Sequence, residues 1–220
     1  MSRAEDCEVR PDEAERVNAR LPGWVAEQCA ERRLRLVALS TDLVFAGDAS
    51  FVAEGDATGP LNVYGRTKRA GEQAVLATLP SAAVARVALV LGRGHGPRAT
   101  STESVAQALR AGRSPRLFTD EYRTPIDPES LAGALARLVK GDGAGLLHLG
   151  GPERLSRYEL GLRVARAFGL PEDRITPALQ SEHAGPDRRA PDVSLDSTRA
   201  RRDLGWEPRP LDAAIRDSRL

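Results

Sequence analysis

LRLVALSTD, residues 34–42, carries the pattern from which the architecture follows. In LRLVALS (34–40), Leu34, Leu36 and Ala38 point one way and Val37 and Leu39 the other, so both faces are apolar. A strand with two apolar faces is covered by helices on both sides, which predicts a central strand of a parallel sheet. It ends in Ser40-Thr41-Asp42, and the C-terminal ends of parallel strands are where open α/β sheets place their ligands. Upstream, residues 11–31 carry Ala14, Val17, Leu21, Val25 and Cys29 at helical spacing behind Pro11, with a kink or a division into two short helices expected at Pro22-Gly23. Downstream, residues 41–63 form a long loop rich in Asp, Gly and Pro. A helix from Tyr64 to Thr78 and a second strand within AAVARVALVLG (82–92) follow.

Beyond residue 92 the alternation continues. Thr100-x-x-Glu103 and Ser156-x-x-Glu159 are capping boxes that open helices. Asp127-Pro128-Glu129 starts another helix, stopped near Gly141, and GLLHLG (145–150) is a third strand. Short helices are expected around Thr198–Leu204, ended by Gly205, and over 210–218. The fold class is therefore α/β, with no internal repeat.

The chain has 220 residues, 41% hydrophobic and 29% charged, the composition of a folded protein. Its 32 basic and 31 acidic side chains leave a net charge of +1, so no global field recruits nucleic acid or an anionic membrane surface. No apolar run approaches the ~20 residues that cross a bilayer. MSRAEDCEVR (1–10) reads as neither a signal nor a transit peptide. Cys7 and Cys29 form no metal spacing and no disulfide framework, which points to a reducing cytoplasm. His95, His148 and His183 are too scattered for a metal site, and His148, inside a strand pattern, reads as a satisfied core histidine.

Tyr64-x-x-x-Lys68 carries the chemistry. Positions four apart share a helix face, so the phenol and the ammonium can face one site. A neighbouring cation lowers a phenol from its usual pKa of about 10 and makes it a usable general acid. Lys68 and Lys140 are the only lysines among those 32 basic residues. In a chain that otherwise uses arginine, a compact ammonium behind a tyrosine argues against a merely solvated charge. A hydroxyl at the strand end, Thr41 or Ser40, can bind the same carbonyl oxygen that Tyr64 protonates. Weaker candidates are the glycine run Gly92–Gly96, usually a plain loop, and Arg188-Arg189. The arginine pair can clamp a diphosphate or simply be solvated.

STDLVFAGD (40–48), PLNVYGRTKRAGE (60–72), DEYRTPIDPESLA (120–132), GLLHLGGPERLSRYEL (145–160) and VSLDSTRARRDLGW (193–206) together resemble the extended short-chain dehydrogenases. Within these the pattern is most similar to the dTDP-4-dehydrorhamnose reductases and their relatives, over nearly the whole chain. The resemblance implies a Rossmann-type parallel sheet, of which this chain holds the C-terminal part, with a small substrate-binding subdomain. Residues 1–92 would be a partial NAD(P)-binding domain and residues 93–220 mainly the substrate region, the strand 145–150 returning to the sheet. It further implies NADP or NAD as cofactor and reduction of a keto group on a nucleotide-linked sugar. Tyr64 would be the acid, Lys68 would lower its pKa and hold the nicotinamide ribose, and Thr41 would orient the carbonyl. Asp42 would touch the substrate, and Arg188 or Arg189 would lie near the diphosphate. Leu89 stands where rhamnose-pathway reductases carry tryptophan, so the sugar is left open.

The family begins with strands and a G-x-x-G-x-x-G fingerprint, whereas no glycine precedes Gly23 here. The expectation is a start downstream of the true one, or a fragment. LRLVALS would then present a bare apolar edge that invites pairing with another chain, a homo-oligomer included. The cofactor's pyrophosphate would lose its principal seat and activity of the chain alone would suffer. The alternative from a different class is a non-catalytic sugar-nucleotide-binding or regulatory subunit of the same fold.

Overall fold

A computed structural model describes residues 1–94, 99–183, 185 and 187–218. The chain opens with helices α1 (Ala4–Val9), α2 (Pro11–Glu15) and α3 (Leu21–Glu31), then strand β1 (Val37–Thr41) and helix α4 (Val63–Thr78). Strand β2 (Ala83–Val87), helix α5 (Ser101–Arg110), strands β3 (Arg116–Phe118) and β4 (Tyr122–Arg123), and helix α6 (Pro128–Lys140) follow. The remainder is β5 (Gly145–Leu149), β6 (Leu155–Ser156), α7 (Arg157–Ala167), β7 (Thr176–Ala178), α8 (Thr198–Leu204) and α9 (Leu211–Asp217).

Strands β1, β2 and β5 form one parallel sheet in that order, with Val37 opposite Ala83 and Ala83 opposite Gly145. Alternation along β2 sends Ala83, Ala85 and Val87 toward α6 and α8, where they pack with Leu138, Leu147, Leu149 and Trp206. Val84 points the other way and packs with Ala26 of α3 and Val75 of α4. A third cluster, with Leu109 of α5, Leu160 and Val164 of α7 and Ile215 of α9, forms the core under the C-terminal part. The long loop after β1 is held down: Val52 bridges Leu195, and its carbonyl meets His148 Nδ1 at 3.0 Å.

Several boundaries differ from the sequence reading. β1 starts at Val37 and has a neighbouring strand on one side only among the described residues, so it is an edge strand here and not a central one; Leu39 is 49% exposed. The interruption expected at Pro22-Gly23 falls earlier, as a π-helical turn over Arg16–Arg20, because Pro22 sits in the first turn of α3 where its missing N–H costs nothing. Residues 4–9 form a helix, and strands of two or three residues (β3, β4, β6, β7) are too short to leave a periodic pattern. Both capping boxes are present, Asp127 caps α6, and Gly205 ends α8 at φ +56°, where a side chain would strain. No helix among the described residues is long and apolar enough to cross a membrane.

Candidate active site

The C-terminal end of β1 opens onto a cleft of about 720 Å³. One wall carries Thr41, Tyr64 and Lys68, and the other is rich in arginine, with Arg123, Arg157 and Arg189 among its residues. Thr41 ends β1 and caps the 3-10 turn Asp42–Val44, accepting the Leu43 N–H at 3.2 Å. Tyr64 stands in the first turn of α4, whose N-cap Asn62 accepts the Gly65 N–H at 2.8 Å and donates its own amide to the Arg188 carbonyl at 3.0 Å. Gly65 is required next to Tyr64: a Cβ there would lie 2.2 Å from the Leu43 carbonyl oxygen. This close approach brings the helix against the strand end and Tyr64 beside Thr41.

Of the two candidate hydroxyls, Ser40 is taken by the core: its Oγ donates to Glu72 at 2.5 Å. Glu72 also receives Arg86 Nε at 3.0 Å and Nη2 at 2.8 Å, a buried bidentate pair that ties α4 to β2. Thr41 is the hydroxyl beside Tyr64.

Burial pushes the Tyr64 phenol up to about 12. Asp42 and Cys7 add to this, while the Thr41 hydroxyl and Arg123 oppose it. The lowering expected from Lys68 is not seen, because its ammonium donates to the Leu39 carbonyl at 2.6 Å on the strand edge away from β2. Burial also moves Lys68 below its ordinary value, against the pull of Glu72. Phenol and ammonium line the same cleft but are not paired with each other. Tyr64 therefore keeps its proton throughout the neutral range.

Asp42 corrects a second expectation. It is fully buried, and Arg123 binds both of its oxygens, Nε to Oδ2 at 2.7 Å and Nη2 to Oδ1 at 2.8 Å. Its carboxylate is therefore not an open acceptor for a substrate. Arg189 lies in the cleft wall with Glu121 at 3.0 Å and Asp187 at 3.7 Å, while Arg188 is exposed at its rim. Arg123, Glu121 and Arg157 were not singled out by sequence. The only signal was their place in DEYRTPID and LSRYEL, since one sequence does not tell which acid meets which base. His148 is fully buried with both ring nitrogens engaged, and Trp206 donates to the Ser130 carbonyl at 2.9 Å. The glycine run 92–96 reaches beyond the described residues at His95 and Gly96.

A family model described as the RmlD substrate binding domain matches residues 2–218. The chain belongs to this family. Among relatives of this RmlD substrate binding domain protein, the dTDP-4-dehydrorhamnose reductase of Mycolicibacterium smegmatis is 35% identical over 204 residues, 90% of this chain and 61% of that one. The methionine adenosyltransferase 2 subunit beta of Rattus norvegicus is 29% identical over 192 residues, 84% of this chain and 58% of that one. The crystal structure of a hypothetical dTDP-4-dehydrorhamnose reductase from Sulfolobus tokodaii superposes with a TM-score of 0.85 at 28% identity, over 94% of this chain and 71% of that one. The chain thus spans about three-fifths of the length of the curated relatives it matches.

The residues on the Tyr64 wall fit the nicotinamide end of a dinucleotide: a phenol, a hydroxyl and an ammonium within one cleft can hold a ribose diol and a carbonyl oxygen. Among the described residues no cluster of three or more His, Cys, Asp or Glu side chains is placed to hold a metal ion.

Proposed function

We propose that the protein reduces a keto group on a nucleotide-linked sugar with NADH or NADPH as reductant. The observation that carries the proposal is that Thr41, Tyr64 and Lys68 line one cleft together with Arg123, Arg157, Arg188 and Arg189. The sugar ketone lies with its oxygen between the Thr41 hydroxyl and the Tyr64 phenol, and the diphosphate lies toward Arg188 and Arg189. Bound nicotinamide supplies the hydride to the carbonyl carbon. Tyr64 gives its proton to the oxygen as negative charge gathers there, and Thr41, turning its hydroxyl from Asp42, holds that oxygen in line. Lys68 would hold the cofactor's ribose once released from the Leu39 carbonyl, and from there its charge would ease loss of the Tyr64 proton. Leu89 lines the same cleft with an aliphatic side chain, which leaves the identity of the sugar open. Two free cysteines suit a cytoplasmic location.

A second reading is a binding or regulatory subunit on the same fold. The observation that favours it is the Lys68–Leu39 contact, which leaves Tyr64 without its activating cation. Assay of the protein with a dTDP-linked 4-keto sugar and each reduced cofactor separates the two. Consumption of the cofactor with formation of the alcohol is the expected result. Saturable binding of the sugar nucleotide without turnover would assign the subunit role instead.

A further inference from the structure

Arg123 and Asp42 meet where the two walls of the cleft join. Arg123 belongs to β4, which pairs with β6 at the start of α7, whereas Asp42 follows the last residue of β1. Asp42 is fully buried and the Arg123 side chain is 11% exposed, so the pair is shielded from solvent. Thr41 Oγ1 also donates to Asp42 Oδ1, at 3.1 Å. A buried carboxylate without its guanidinium is a strong acceptor, and one that already takes the Thr41 proton would compete for that of Tyr64 as well. The charged or titratable groups that face Tyr64 are Asp42 after β1, Arg123 from β4 and Cys7 from α1. Lys68, on the same helix, lines the same cleft, and Glu121 faces Asp42 from the segment before β4.

We propose that Arg123 is a positioning residue for the candidate proton donor: by holding and neutralising Asp42 from β4, it keeps that carboxylate, which already takes the Thr41 proton, from also drawing the Tyr64 phenol away from the cleft. The inference rests on Tyr64 as proton donor, but its test does not use turnover. The ionisation of Tyr64 is followed by tyrosinate absorbance, with Tyr64→Phe giving the background from Tyr122 and Tyr158. Asp42→Asn removes the anion and keeps the cation, so Tyr64 should ionise about one pH unit lower than in the native protein. Arg123→Gln removes the cation, so Tyr64 should ionise higher than in the native protein. Mere loosening of the site would move both variants down toward the ordinary tyrosine value of about 10. Opposite shifts support the proposal; shifts in the same direction, or none, overturn it.

Should Arg123→Gln fail to fold with Asp42 left unpaired, the double variant Asp42→Asn/Arg123→Gln, which buries no charge there, replaces it. It must ionise higher than Asp42→Asn alone, and equal titration overturns the proposal. If the shifts hold while Tyr64→Phe leaves turnover intact, the reductase reading fails and the coupling of Arg123 to Tyr64 stands. If turnover needs Tyr64 but the shifts are missing, the reverse follows.

Discussion

His148 shows how burial decides the behaviour of a single side chain. It is fully enclosed on β5, with Nδ1 toward the Val52 carbonyl, and Nε2 lies 3.4 Å from Arg86 Nη1. Burial, with the Arg86 charge, lowers the ring from 6.5 to about 4. Between those values the unfolded chain binds a proton that the folded protein does not. Stability therefore falls as the pH drops through this window, by ~3 kcal/mol for this residue when fully protonated. Urea unfolding near neutrality and at about pH 4.5 measures the slope. His148→Gln, which has no ring to titrate, should be less stable near neutrality but flatter across this window, and an unchanged slope would remove the assignment. At this scale the sequence was legible where spacing carries meaning: Tyr64 and Lys68 four apart on a helix, and a hydroxyl at a strand end. It was not legible for Asp42 with Arg123, because 81 residues separate them and neither has a partner visible in its own neighbourhood.

Among the elements, α4 matters most, since it brings Tyr64 to the end of β1. Its length and phase were readable from apolar spacing, and its observed bounds, Val63–Thr78, lie within a residue of those expected. Less readable was its fixed contact with the strand, which depends on glycine. At Gly65 an added Cβ meets the Leu43 carbonyl oxygen at 2.2 Å and Pro60 Cβ at 2.9 Å, and at Gly71 it meets the Asn18 carbonyl oxygen at 2.2 Å. Backbone atoms cannot move aside as a flexible side chain can. Gly65→Ala should therefore cost ~1–3 kcal/mol in denaturant unfolding and shift Tyr64 away from Thr41, lowering turnover as well. Gly55→Ala, where the added Cβ meets open space, is the control and should change neither. Retained stability and turnover in Gly65→Ala would show that the close approach is not needed. The short strands β4 and β6 had no signature because two residues show no alternation, yet β4 is what presents Arg123.

For the molecule as a whole, a parallel sheet follows from apolar runs separated by helices, a pattern the sequence shows directly, whereas the order β1-β2-β5, with β1 at the edge, does not. Coverage of those runs was less readable. Leu39 and Leu34 are 49% and 55% exposed along the β1 side, so an apolar run was not proof of burial. The cleft takes one wall from the sheet and α4 and the other from residues far along the chain, which is why composition gave no hint of its arginine wall. In the proposed reaction, Tyr64 donates a proton to a sugar ketone held by Thr41. Comparison of the native protein with Tyr64→Phe, measuring both sugar-nucleotide affinity and the rate of keto reduction, tests this most directly. Affinity should stay close to native while the rate falls by about 10²-fold or more, the loss of one positioned general acid; an equal rate in the two proteins would rule out Tyr64 as the proton donor.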